Sequence, residues 1–173
     1  MRVFWKKFVS MAMAMVMLVG MNTVSAFALA DGTYTMNTET HYLNPDTGKT
    51  DDGGTGNAAL GEGMCRSAVF EKALVTQSGS TTTITMKMLL YSNMSNIRIA
   101  TQDAPKGKYT NVKYNIVKES SSTNSADIKF TVPSAGSYIQ VKMYVAPMGR
   151  DMKALHLHSS PFRFCQLNQE ADQ

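Results

Sequence analysis

The stretch TTTITMKMLLY, residues 81–91, alternates with period two. Thr82, Ile84, Met86, Met88 and Leu90 fall on one side; Thr81, Thr83, Thr85 and Lys87 fall on the other. Successive side chains of an extended chain point to opposite faces, so this segment is satisfied only by burying one face and wetting the other. That is what an antiparallel sheet with a solvated side provides. The pattern recurs. NVKYNIVKE (111–119) aligns Val112, Tyr114 and Ile116, and ADIKFTVPS (126–134) aligns Ile128, Phe130 and Val132. SYIQVKMYVAP (137–147) aligns Ile139, Val141, Met143 and Val145. GTYTMNTET (32–40), SAVFEKALVTQ (67–77), NIRIATQ (96–102) and MKALHLHSS (152–160) extend the series, and SGS (78–80) reads as a hairpin turn. AALGEGMCR (58–66) reads as a single helical turn. With no longer amphipathic helix, no repeat and no linker, seven to eight short strands predict one all-β domain, an antiparallel β-sandwich.

The first thirty residues stand apart. Arg2, Lys6 and Lys7 precede the apolar MAMAMVMLVG, and small residues follow in VSAFALA. Charged, apolar and small segments in that order predict a secretory signal peptide, cleaved after Ala30 or, as second choice, Ala26. The folded domain is then residues 31–173, secreted or associated with the cell surface. The apolar run is short for a membrane span, and the closing FCQLNQEADQ carries neither a sorting signal nor an apolar segment, so no intrinsic membrane span is expected after cleavage. The whole chain holds 17 basic and 13 acidic side chains; without the leader, 14 face 13. A near-neutral domain has no electrostatic footprint for nucleic acid.

Cys65 and Cys165 would meet an environment that permits disulfides. A bridge between them would close a loop of about 100 residues, worth about 4–5 kcal/mol by chain entropy. The alternative is two thiols, with Cys65 itself a candidate ligand. LNPDTGKTDDGGTGN (43–57) is dense in Asp, Gly and Asn and predicts a long loop, and loops of that length inside a domain often serve function.

Signatures of catalysis are missing: the chain has no G-x-S-x-G, no H-E-x-x-H and no phosphate-cradling glycine loop. The cysteines are not spaced as a C-x-x-C pair. The expected role is therefore binding rather than catalysis. His156 and His158, two apart on a strand, could face the same way as a metal pair would, with His41 as a third imidazole. Eight methionines lie outside the leader. Met86, Met88 and Met143 fit apolar strand faces and read as core filling. Met36, Met94 and Met152 carry no assigned role. Met64 follows GEG and Met148 lies in VAPMGRD, just past Pro147, and neither fits an alternating face. Two thioethers on separate loops meeting at one rim of a sandwich would suit a soft metal or a heme iron.

NPDTGKTDDGGTGNAALGEGM (44–64), followed by YIQVKMYVAPM (138–148), resembles the streptococcal cell-surface heme-binding protein Shp and its relatives over residues 33–158. The resemblance implies an immunoglobulin-like β-sandwich, distantly similar in fold to NEAT heme domains. It implies heme b as cofactor, with Met64 and Met148 as the two axial ligands of the iron. It also implies a relay, in which a surface receptor donates heme and the lipoprotein of an ABC transporter accepts it. The Y-x-x-x-Y pair that supplies a tyrosinate in NEAT domains is missing, since Tyr138 and Tyr144 are six apart, so bis-methionine ligation is the expected mode. Arg66 and Arg150 are the cations nearest the two methionines in sequence. Other classes remain: a secreted copper-binding protein using Met and His ligands, and a structural or adhesive sandwich with no ligand.

Overall fold

In the computed structural model, which describes residues 29–51, 58–159 and 165–166, with backbone alone at 153–155, 158–159 and 165–166, the alternation becomes ten strands. They are β1 (Gly32–His41), β2 (Val69–Ser78), β3 (Thr81–Leu89), β4 (Met94–Gln102) and β5 (Thr110–Val112), followed by β6 (Tyr114–Ser120), β7 (Ser125–Val132), β8 (Tyr138–Val145), β9 (Arg150–Ser159) and β10 (Cys165–Gln166). All pairings are antiparallel, in the order β5-β4-β8-β9-β1-β2-β3-β7-β6, with β10 added beside β1. Of the segment expected as a signal peptide, residues 1–28 lie outside the described residues. Among the described residues, no helix is long and apolar enough to cross a membrane.

Strand β1 belongs to both layers. Gly32 to Asn37 pair with β2, and Thr38 to His41 pair with β9. Its even-numbered residues Tyr34, Met36 and Thr40 are buried, so one continuous strand serves both sheets. The core between the layers joins Val75, Ile84, Met86 and Ile128 of one sheet to Ile99, Ile139, Val141 and Leu157 of the other, with Met36 between them. Gly79 and Ser80 form the expected two-residue β2–β3 turn, with Gly79 at φ +56°.

Several expectations shift. On β3, Thr82, Ile84, Met86 and Met88 are buried, but Leu90 leaves the ladder at φ +56° and is 48% exposed. The segment expected as one strand at 111–119 divides at Lys113, and Ile116 faces solvent beside a register shift. The largest correction is the GEG segment. It is no loop with a single turn but α1, an eleven-residue helix spanning Ala58–Ala68. Ala58, Ala59, Leu60, Glu62, Met64 and Arg66 all favour helix strongly enough to carry Gly61 and Gly63, and Arg66 in the last turn complements the helix dipole.

A methionine-lined cavity at one end of the sandwich

Helix α1 presents two adjacent faces, set by its 3.6-residue period. Gly61, Cys65 and Ala68 are buried. Leu60, Gly63, Met64 and Ser67 turn toward a cavity of about 540 Å³. Gly61 makes the docking possible, because a Cβ there would stand 2.6 Å from Tyr42 Cγ. Glu62 fastens the same turn: its Oε1 accepts the backbone N–H of Tyr42 at 3.0 Å, and its Oε2 lies 3.8 Å from His41 Nδ1. The GEG sequence is thus an anchor that locks the helix onto the end of β1 and sets the height of Met64.

The opposite wall is the β8–β9 hairpin. Val145 pairs with Arg150 across Ala146-Pro147-Met148-Gly149, whose first three residues form a 3-10 turn. Gly149, at φ +61°, donates its N–H to Ala146 O at 3.0 Å and closes the loop. Met148 sits in this tight turn, half-buried against the core cluster. The third wall is the β3–β4 connection. Leu90 and a 3-10 turn at Tyr91–Asn93 are held by Asn124, whose backbone oxygen accepts from Tyr91 N and whose side-chain oxygen accepts from Ser92 N. Burial raises the Tyr91 phenol above its ordinary range.

Met64 and Met148 therefore line the same cavity, from a helix and a hairpin rather than from two loops. Three more thioethers join them: Met94, Met143 and Met152. Met143 is buried as expected of a core filler and also forms cavity wall. Met94 and Met152 had no sequence signal, because their meeting depends on strand register. Among the described residues, Ser67 and Asn93 are the polar side chains in the lining, with no histidine and no charged residue. A cavity of this size falls in the range of small-molecule sites, about 300–1,000 Å³, and its apolar walls have the usual composition. Leu60, 65% exposed, and Leu90 form an apolar lip.

The other candidates lie elsewhere. Cys65 is fully buried on the core side of α1 and does not line the cavity; the pairing with Cys165 falls outside the described residues, because only the Cys165 backbone is described. Arg66 is exposed beside a separate groove along β1, and Arg150 is exposed at the hairpin base. His156 is buried in a polar network: its Nε2 is 3.1 Å from Asp51 Oδ2 and its Nδ1 is 3.2 Å from Tyr109 OH. Asp51 also accepts from Gln140 at 2.8 Å and from Asn44 at 3.1 Å, which ties the 43–51 loop to the sheet. Burial lowers the His156 pKa against the opposing pull of Asp51, and burial first, then Asp46 and Asp51, raises that of Tyr109. A hydrogen bond from Gln102 lowers Asp46. The His158 side chain lies outside the described residues. Among the described residues, no three His, Cys, Asp or Glu side chains gather as a metal site, and His41 and His156 do not line the methionine cavity. A larger concavity of about 920 Å³ at the far end of the sandwich is lined by polar residues such as Thr81, Thr101, Asp103 and Lys108.

Comparison with known proteins gives two kinds of match. The family model described as "Cell surface heme-binding protein Shp" matches residues 30–154. Among solved structures, the NEAT5 domain of IsdX2, described as a B. anthracis hemophore in complex with heme, aligns with TM-score 0.52 at 16% identity, covering 78% of this chain and 99% of that one. A point mutant of that domain in complex with heme aligns with TM-score 0.53 at 17% identity and the same coverage. At such identities the likeness establishes the fold, an immunoglobulin-like sandwich. No curated protein matches the chain.

Proposed function

This chain belongs to the family of the cell surface heme-binding protein Shp, and from that premise we propose that it carries heme in the methionine-lined cavity, with Met64 and Met148 as the axial ligands of the iron. The observation that carries the reading is that these two thioethers reach one cavity from separate elements, α1 and the β8–β9 turn. The lining fits the group: its walls are apolar, its candidate iron ligands among the described residues are thioethers, and its mouth is edged by Leu60 and Leu90. Bound there, heme would supply an iron with two axial positions for protein ligands.

What the chain's residues contribute follows from their chemistry. Thioethers are neutral and soft, so Met64 and Met148 favour the reduced iron and raise its potential relative to anionic ligands. They also form a weaker axial pair for ferric iron than imidazole or thiolate, which suits a carrier that must give up its cargo. The supports of the two ligands are unequal. Met64 rides on a helix pinned by Glu62 and by the Gly61–Tyr42 contact, whereas Met148 sits in a four-residue turn. Met148, on the less firmly held support, would be the easier of the two thioethers for an acceptor's stronger ligand to displace. On this reading the protein acts outside the cell or at its surface, after removal of residues 1–30, between a heme-donating receptor and the heme-accepting lipoprotein of a transporter. Its role is carriage, without catalysis.

The test is an absorption titration of the protein with hemin, before and after reduction with dithionite. One equivalent should give a sharp Soret band and a six-coordinate, low-spin reduced spectrum. Met64→Ala and Met148→Ala should each alter that spectrum and speed heme loss. Unchanged spectra in both variants would overturn the ligand assignment, and the broad spectrum of free hemin alone would overturn the function.

A further inference from the structure

The cavity contains a second arrangement of sulfur. Met143 on β8 stands directly opposite Met152 on β9, and Met94 on β4 stands directly opposite Val145, two residues along β8 from Met143. Residues paired across an antiparallel ladder have Cβ atoms about 4.5–5.5 Å apart, and diagonal neighbours about 7–8 Å or less. Side chains two apart on a strand share a face. Met94, Met143 and Met152 thus form a row across three neighbouring strands, on the face that lines the cavity. Both ladders are irregular at this end of the sheet. The β8–β9 register shifts between Val141 and Met143, and the β4–β8 register shifts between Ser95 and Arg98. Bulges of this kind re-aim the side chains next to them.

From this juxtaposition we propose that Met94, Met143 and Met152 form a three-thioether site for a soft monovalent cation, Cu(I) or its analogue Ag(I), at the base of the cavity. Thioether sulfur selects soft ions of this class over hard or divalent ones. The surroundings select the charge as well. Among the described residues the lining carries no carboxylate and no imidazole, so these walls offer a divalent ion nothing to offset the loss of its hydration. Copper(I) and silver(I) readily accept three neutral sulfur donors in a plane. Met143 and Met152 are 1% and 3% exposed, which would keep water from the ion, and half-buried Met94 lies on the side by which it would enter. Met94 and Met152 flank β8 on either side, and the three rotatable bonds of each side chain give the outer sulfurs reach toward Met143 between them. The site uses none of the residues assigned to the heme iron, and the inference does not depend on the heme reading.

The test titrates the heme-free full chain with Cu(I), anaerobically, against a chromophoric Cu(I) chelator. A parallel titration with Ag(I) follows the methyl resonances of carbon-13-labelled methionines. The expected result is one retained equivalent, with the Met94, Met143 and Met152 methyl signals moving and those of Met36 and Met86 fixed. Leucine replaces methionine at little packing cost, so the double variant Met94→Leu/Met152→Leu should fold, with the circular dichroism and melting temperature of the wild type, and lose at least tenfold in Cu(I) affinity. A wild-type protein that surrenders all its Cu(I) to the chelator would overturn the proposal. So would a double variant that binds Cu(I) as tightly as the wild type, because the metal would then sit on other groups. Hemin added to a separate, metal-free sample separates the two readings: Cu(I) retention in the one and no Soret band in the other leaves this site standing and removes the heme carrier.

Discussion

Gly61 lies against the ring of Tyr42 so closely that a Cβ at position 61 would stand 2.6 Å from Tyr42 Cγ and 2.7 Å from Cε1. The contact welds the helix that carries Met64 to the residue that follows β1. Gly61→Ala brings a helix-favouring residue but drives its methyl into a buried aromatic ring, and overpacking of that kind costs about 1–3 kcal/mol. The variant should melt at lower temperature, as followed by circular dichroism. The cost should fall in the double variant Gly61→Ala/Tyr42→Ala relative to the sum of the two single changes, since residues in contact are not additive.

Glu62 gives a finer handle on the same helix. Glu62→Ala removes the acceptor of the Tyr42 N–H, a loss of about 1 kcal/mol in stability. Glu62→Gln keeps an oxygen in place and should cost less. If the helix sets the position of Met64, hemin dissociation should quicken in the order wild type, Glu62→Gln, Glu62→Ala. Stopped-flow transfer to a high-affinity scavenger measures it, and equal rates in all three would remove the anchor from the mechanism.

Leu90 separates stability from binding. It holds φ +56° with a branched side chain that lines the cavity mouth. Left-handed backbone costs an ordinary L residue about 1–2 kcal/mol, and asparagine tolerates it better. Leu90→Asn should therefore leave the denaturant midpoint unchanged or higher while hemin is lost faster. A lower midpoint together with unchanged hemin loss would contradict both parts of the assignment.

The Asp51–His156–Tyr109 network carries the pH dependence. Burial holds the His156 pKa below its ordinary 6.5. Above pH 6.5 the imidazole is neutral in both folded and unfolded chains and contributes no slope. Below it the unfolded chain takes up a proton that the folded chain resists, so stability falls as pH drops from 6.5 toward the folded value. Asp46, lowered from 3.8 by its bond from Gln102, adds stability above pH 3.8 that is lost at still lower pH. Urea midpoints should therefore drop between pH 7.5 and 5.5 in the wild type. They should drop less in His156→Gln, which keeps a donor for Asp51 but has no titrating ring.

The strands were legible in the sequence because their period is set locally: Ile84, Met86 and Met88 announce a buried face whatever lies opposite. Both methionines first singled out, Met64 and Met148, do line one cavity, Met64 from a helix rather than from the loop that GEG suggested. Helix α1 was hidden because its packing depends on Gly61 and Cys65, which carry no amphipathic stripe of large residues. Its extra turns come from the fit to Tyr42, a tertiary contact. Nor could Met94, Met143 and Met152 be grouped beforehand. Their row depends on two register shifts, and a shift of one residue turns a side chain to the opposite face.

The cavity draws its walls from residues 59–68, 90–94 and 143–152. Contacts that distant in sequence form late and together, since long loops must close before they are rewarded. No partial product of folding would hold the helix, the β3–β4 turn and the hairpin in register. On the proposed reading, heme would therefore find its pocket only in a chain that had already brought all three segments together.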